Sequence, residues 1–238
     1  MKLDILAIGV HPDDVELACA GTLLAQQALG KTTGILDLTR GELGTRGTPE
    51  GRLQEAQASA RILGVAVREQ AYMADGFFRN DEEHQRTLIQ FIRKFRPEIV
   101  LGNAIDDRHP DHGRAAQLIR DSCFYSGLRQ ITTTDEQGTP QLPWRPKQLF
   151  HYIQDRYISP DFVVDVSSYW ATKTAAIRAF ESQFYVPEYQ ANSQEPQSYI
   201  STPEFLDFLE ARAEELGHAI GVKYGEGLTS ARLLGIRD

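Results

Sequence analysis

The chain has 238 residues, of which 41% are hydrophobic and 24% charged, and these proportions are typical of a globular protein with a sizeable core. Its formal net charge of −8 argues against non-specific binding to nucleic acids and to membrane surfaces. Cys19 and Cys123 lie in apolar helical stretches and suit core positions better than a disulfide framework. Reduced cysteines and the lack of a signal-peptide pattern or a membrane-length apolar run favour a cytoplasmic protein.

Buried-strand and helix patterns alternate through the first half of the chain. Short runs rich in Ile, Leu and Val predict strands over residues 3–10, 33–39, 65–73 and 97–102. Apolar residues at helical spacing predict helices over residues 16–29, 52–63, 81–95 and 112–125. A β-α unit repeated four times predicts a Rossmann-like α/β fold, in which a mostly parallel sheet is flanked by helices.

The second half of the chain is less regular. Strands are predicted over residues 148–154 and 162–166, and helices over 167–183 and 203–221. Between the two helices, residues 185–202 are rich in Pro, Gln, Ser and Tyr, which is typical of a lid or an oligomer contact. Because no linker or internal repeat interrupts the chain, we expect residues 1–238 to form a single domain.

Two clusters of His and Asp each follow a predicted strand and open a predicted helix. The first is His11-Pro12-Asp13-Asp14, after the first strand, and the second is His109-Pro110-Asp111-His112, after the fourth. In the usual order of such sheets, these two strands are neighbours at the point where the strand order reverses, and ligands bind there. Either motif alone is commonly a turn with an Asp helix cap. Together they predict one metal site built from both turns.

The spacing within the motifs suggests a ligand set with an open position. His11, Asp14 and His112 supply two imidazoles and a carboxylate, the kind of set that holds zinc in hydrolytic enzymes. His11 and Asp14 are three residues apart, which brings them together on one turn. The same set would also accept ferrous iron, cobalt or manganese.

The remaining residues of the motifs suggest acid–base chemistry. Asp13 should point away from the cation and stay free, as a general base requires. His109 could donate to a developing oxyanion or a leaving nitrogen, and Asp111 could orient it. Arg52 begins a helix whose N-terminus should face the same crevice, where its charge opposes the helix dipole. A substrate contact and a surface role remain equally open for Arg52.

At these motifs the chain resembles the LmbE-like/PIG-L family of zinc-dependent N-acetylsugar deacetylases. Residues Gly9 to Glu16 and His109 to His112 stand where that family has its two His-Pro-Asp motifs. The chain is more similar still to the bacillithiol biosynthesis deacetylases, which remove acetyl from N-acetylglucosaminyl-malate. The further matching segments are Met1 to Ala7, Asp37 to Thr39, Arg108 to Gly113, Glu181 to Phe184 and Tyr224 to Gly227.

The resemblance implies specific roles for residues of both motifs. It implies zinc on His11, Asp14 and His112, Asp13 as general base, and His109 as oxyanion stabiliser or acid with Asp111 behind it. For the substrate, it implies a hydroxyl or phosphate-like contact at Arg52 and a malate carboxylate contact at Arg108. It also implies a homo-oligomer, often a hexamer. One departure from the family pattern, Gly225 and Leu228 in place of the usual Ala and Phe, affects the fine shape of the pocket.

We therefore expect a zinc-dependent deacetylase of an N-acetylglucosaminide, with N-acetylglucosaminyl-malate as the favoured substrate. The alternatives within the class are another N-acetylsugar or the amide of a sugar–thiol conjugate. A metal-dependent sugar-binding protein without activity is a rival, but such a protein needs no free carboxylate like Asp13 beside the metal. A nucleotide-binding domain is disfavoured because no G-x-G-x-x-G follows the first strand.

Overall fold

In the computed structural model, which describes residues 1–235, strands and helices alternate through the first half of the chain as predicted. The strands are β1 (Ile5–Gly9), β2 (Thr33–Asp37), β3 (Val67–Gln70), β4 (Ile99–Gly102), β5 (Gln148–Tyr152), β6 (Phe162–Asp165) and β7 (Gly225–Ser230). The helices are α1 (Asp14–Ala18), α2 (Ala20–Ala28), α3 (Pro49–Leu63), α4 (Glu82–Phe95), α5 (Pro110–Tyr125), α6 (Trp170–Arg178), α7 (Pro187–Asn192) and α8 (Pro203–Ala219).

The seven strands form one mixed sheet in the order β3-β2-β1-β4-β5-β7-β6. The first five of these strands are parallel, whereas β7 runs antiparallel to both β5 and β6. Ile5 of β1 pairs with Ile99 of β4, and Ala7 pairs with Leu101. The α/β fold with a mostly parallel sheet is therefore confirmed, and so is the adjacency of the first and fourth strands that brings their C-terminal ends together.

Both faces of the sheet are covered, as a parallel sheet requires. Leu6 and Ile8 of β1 pack in one hydrophobic cluster, whereas Ile5 and Ala7 pack in another on the opposite face. All four side chains are almost completely buried. Because alternate residues of a strand point to opposite faces, this burial explains why β1 is continuously apolar. Across residues 1–235, none of the helices combines the length and the apolar character needed to cross a bilayer.

The predicted helix over residues 16–29 is in fact two helices, α1 and α2, which break at Cys19. The break is stabilised by an ion pair from the distant C-terminal half. Lys173 Nζ donates to the carbonyl of Leu17 at the end of α1 and to Glu226, 2.5 Å away. The Glu226 carboxylate accepts the backbone N–H of Thr22 at the start of α2. The short α1 is thereby fixed directly after β1.

Three further elements differ from the prediction. The helix expected over 167–183 begins with a 3₁₀ turn at Ser167–Tyr169 and ends at Arg178. The segment 185–202, for which no helix was predicted, contains α7, and its role as a lid or an oligomer contact stays a prediction. Strand β7 was not predicted, because its sequence has two glycines and no apolar alternation. Gly225 is needed there, since a Cβ atom at this position would lie 2.6 Å from the side chain of Val163.

Candidate metal centre and active site

The two His/Asp turns meet at the C-terminal ends of β1 and β4. His112 Nε2 lies 3.2 Å from Asp14 Oδ1, and His11 Nδ1 lies 3.9 Å from Asp14 Oδ2. The ring centroids of His11 and His112 are 5.5 Å apart. Residues about a hundred positions apart in the chain therefore share one site.

Each histidine gives its other ring nitrogen to a carboxylate. His112 Nδ1 donates to Asp107 at 2.5 Å, and His11 Nε2 donates to Asp75 at 3.1 Å. These contacts leave His112 Nε2 and His11 Nδ1 facing Asp14. A carboxylate on the far nitrogen orients the ring and raises its basicity, and metal-binding histidines almost always have such a partner. The donor set therefore suits a divalent cation.

The electrostatics of the site favour positive charge. Burial disfavours a proton on His11, but hydrogen bonds to Asp111 and Asp75 outweigh it and raise its pKa to about 10. Burial is likewise outweighed at His112, where Asp14 contributes most to raising the pKa to about 9. Conversely, the two histidines overcome the effect of burial on Asp14 and hold its pKa well below the usual range. The carboxylates therefore stabilise a cationic centre.

Asp13 lies beside this centre in a conformation that L-amino acids rarely adopt. Its φ angle is 152° and its ψ angle −20°, values that are found mainly for glycine. Arg52 Nη2 donates to Asp13 Oδ2 at 2.7 Å, and both side chains are buried. Burial raises the pKa of Asp13 to about 7, although the charge of Arg52 opposes the rise. A carboxylate that titrates near neutral pH suits a general base.

His109 completes a cluster of three imidazoles. Its ring centroid lies 4.8 Å from that of His11 and 5.2 Å from that of His112. Burial and the two neighbouring histidines lower the pKa of His109, which favours its neutral form. Its Nδ1 accepts the backbone N–H of Asp111 at 3.3 Å, so the single proton is left on Nε2. The nitrogen atoms of the three rings lie within 4.8 Å of one another, so His109 would be a further candidate ligand only if its Nε2 gave up that proton.

Asp111 does not stand behind His109 as expected. Its carboxylate instead lies 3.7 Å from His11 Nε2, accepts the backbone N–H of Gly76 and pairs with Arg114. This arrangement arises because Asp111 is in the first turn of α5, where its side chain reaches Gly76 in the segment that follows β3. Asp111 therefore supports His11 together with Asp75.

The two arginines named from the sequence lie in different parts of one cavity of about 480 Å³. Arg52 is buried against Asp13, so its first partner is the neighbouring carboxylate. The side chain of Arg108 is 53% exposed, with Nε 3.7 Å from Asp155 Oδ2. Its guanidinium lies 4.5 Å from the ring centroid of Tyr199. Arg108 is thus placed to meet the outer part of a ligand.

Four polar residues of the site were not found from the sequence: Asp75, Asn103, Asp107 and Gln154. None of them belongs to a recognisable motif. Their common signal is that each follows closely on the C-terminal end of β3, β4 or β5. That signal becomes specific only when the strand order is known.

Comparison with known proteins identifies the family. The PIG-L family, described as GlcNAc-PI de-N-acetylase, matches residues 6–123. A diacetylchitobiose deacetylase from Thermococcus kodakarensis is 30% identical to this chain, over 94% of this chain and 81% of its own length. The chain belongs to the PIG-L family. It is thus a member of a family of hydrolases that deacetylate N-acetylated sugars.

Two further relatives extend the comparison. A conserved protein from Thermus thermophilus, 34% identical, superposes with a TM-score of 0.84 over 98% of this chain and 97% of its own. That agreement covers the whole PIG-L fold of this chain. A probable N-acetyl-α-D-glucosaminyl L-malate deacetylase 2 from Bacillus anthracis is 24% identical over 85% of this chain and 91% of its own length. This likeness is weaker than that to the diacetylchitobiose deacetylase, so the closer resemblance to the bacillithiol biosynthesis deacetylases that the sequence suggested is not confirmed.

Proposed function

We propose that this PIG-L protein is a zinc-dependent deacetylase whose preferred substrate is N-acetylglucosaminyl-malate. The observation that carries the proposal is the convergence of His11, Asp14 and His112 beside a second carboxylate, that of Asp13, which is not one of the three proposed ligands. A protein that only binds a sugar has no use for Asp13, which is buried in a strained conformation next to the site. Backbone strain of this kind is concentrated at active sites, where it contributes to the reaction.

The residues of the site account for hydrolysis of the acetamide. His11, Asp14 and His112 would hold a divalent cation, which would lower the pKa of the attacking water and polarise the acetyl carbonyl. Asp13 accepts the proton of the attacking water. His109 donates its Nε2–H to the carbonyl oxygen as that atom gains negative charge. The C–N bond then breaks, giving acetate and the free amine.

Asp13 is also the better source of the proton for the leaving nitrogen. Having taken a proton from water, its carboxyl can hold it at neutral pH, because burial raises the pKa of Asp13 to about 7. His109 has a lowered pKa and carries only the one proton that it donates to the oxyanion. We therefore assign both proton transfers to Asp13.

Two arginines in one part of the cavity favour an anionic substituent on the sugar. Arg108 and Arg212 both line the cavity and both contact Asp155, Arg108 through the carboxylate and Arg212 through the backbone carbonyl. Both guanidinium groups therefore lie beside Asp155, and only that of Arg108 is close to its carboxylate. These two guanidinium groups can bind a carboxylate of malate, which a neutral second sugar lacks.

A substrate panel tests this proposal. We expect kcat/KM for N-acetylglucosaminyl-malate to exceed that for N-acetylglucosamine and N,N′-diacetylchitobiose by about 10- to 100-fold, the effect of one charge-assisted hydrogen bond. Arg108→Gln should reduce this preference, whereas Arg145→Gln should not. Arg145 is a matched control, since it stacks on Phe124 outside the cavity.

The panel also distinguishes the alternatives. A preference for diacetylchitobiose, or for the amide of a sugar–thiol conjugate added to the panel, would keep the chemistry but replace the substrate. If none of these compounds releases an amine, the deacetylase assignment itself is wrong. The homo-oligomer, often a hexamer in the family that the chain resembles, remains a prediction that light scattering coupled to size-exclusion chromatography tests.

A further inference from the structure

Two buried amide side chains hold the carboxylate of Asp14, and neither belongs to a His/Asp motif. Asn103 directly follows β4, and Gln154 lies just beyond β5. Asn103 Nδ2 donates to Asp14 Oδ2 at 2.8 Å, and Gln154 Nε2 donates to Asp14 Oδ1 at 2.9 Å. Each oxygen of the carboxylate therefore has its own amide donor.

The orientation of the Gln154 amide is fixed by its surroundings. Its Oε1 accepts the backbone N–H of Ala104 at 3.1 Å and Asn103 Nδ2 at 3.1 Å. A backbone N–H can only donate, so Oε1 must face Ala104 and Nε2 must face Asp14. Gln154 thus presents a hydrogen-bond donor to the centre, and its Nε2 lies 3.4 Å from His112 Nε2. It is not a metal ligand in this orientation.

The two oxygens of Asp14 have different environments. Oδ2 accepts three hydrogen bonds, from Asn103 and from the backbone N–H groups of Val10 and His11. Oδ1 has Gln154 as its amide donor and otherwise faces His112 Nε2. Oδ1 is therefore the oxygen that is free to bind a cation, and Gln154 is the residue that aims it.

We propose that Gln154 and Asn103 are positioning residues that set the affinity of the site for a divalent cation. They do so by holding Asp14 Oδ1 beside His112 Nε2, with Gln154 making the larger contribution. Asn103 matters less, because Oδ2 keeps two backbone donors without it. This inference rests on the metal centre of the proposed function.

The test measures zinc affinity directly, by competition with a chromophoric chelator on the full-length protein. Gln154→Met keeps the length of the side chain but removes the donor, and we expect binding to weaken by about 10- to 100-fold. Saturating zinc should restore kcat without a change in KM, because Gln154 acts through Asp14. Gln70→Met is the matched control, since Gln70 is a buried residue whose amide makes no hydrogen bond within residues 1–235. Its zinc affinity should equal that of the wild type.

A second variant keeps the inference testable if Gln154→Met does not fold. Asn103→Ala should also weaken zinc binding, but less than Gln154→Met does. Unchanged zinc affinity in a folded Gln154→Met protein overturns the inference. If only Asn103→Ala folds, unchanged zinc affinity in that variant overturns it. A wild-type protein that binds no zinc would instead contradict the proposed metal centre, which separates the two failures.

Discussion

Replacing Arg52 with Met should move the acidic limb of the pH–activity profile upward. The Arg52 guanidinium lies 2.7 Å from the Asp13 carboxylate in a buried pair, and its charge favours the ionised form of that base. At an effective dielectric constant of about 20, opposite charges roughly 4 Å apart interact by about 4 kcal/mol. Relaxation and water entry reduce this value, and close opposite charges lower a carboxyl pKa by about 1–3 units. We expect the pKa of Asp13 to rise by that amount in Arg52→Met.

The assay is kcat/KM as a function of pH at saturating zinc, for the wild type, Arg52→Met and Arg52→Lys. In Arg52→Met the ionised fraction of Asp13 falls at pH 7, so activity should drop and then partly recover as the pH is raised. Arg52→Lys keeps the charge and should show a much smaller shift. An unchanged acidic limb in Arg52→Met, together with a raised KM, would refute this reasoning and assign Arg52 to substrate binding alone.

Substitutions at three further positions test other parts of the structure. Asp13→Gly and Asp13→Asn should both abolish turnover. The Gly variant should be more stable than the Asn variant by about 1–3 kcal/mol, because glycine adopts the positive φ without strain. Equal urea midpoints for the two variants would show that no backbone strain is stored at this position. His109→Gln should lower kcat by about 10²- to 10³-fold while zinc content stays unchanged, and loss of zinc would make His109 a ligand. Lys173→Met leaves the buried Glu226 without its cation and should destabilise the fold by about 3 kcal/mol, so an unchanged urea midpoint would mean that the ion pair does not stabilise the break between α1 and α2.

The position of the site could be predicted because it depends on the order of the strands. β1 and β4 are apolar runs with clear periodicity, and their adjacency follows from the common topology of such sheets. That adjacency alone brings His11 and His112 together. The two His/Asp motifs can be recognised from their own residues, without information from the rest of the chain.

The supporting residues could not be predicted, because their roles depend on contacts between segments that are distant in the sequence. Asp75 and Gln154 are single polar residues in connecting segments. Each forms a hydrogen bond with a side chain that follows a different strand. The break at Cys19 was also missed, because its local sequence favours a continuous helix. The groups that stabilise it, Lys173 and Glu226, lie more than a hundred residues away in the chain. Long-range partners of this kind leave no periodic pattern in the sequence.

The zinc content of reconstituted protein tests the central claim most directly. After the protein is loaded with zinc and free metal is removed, the wild type should retain one equivalent of zinc per chain, measured by elemental mass spectrometry. His11→Ala and His112→Ala should each lose it, whereas His84→Ala, at a partly exposed position on α4, should retain it. Full zinc content in either His11→Ala or His112→Ala would show that the two turns do not bind one cation together.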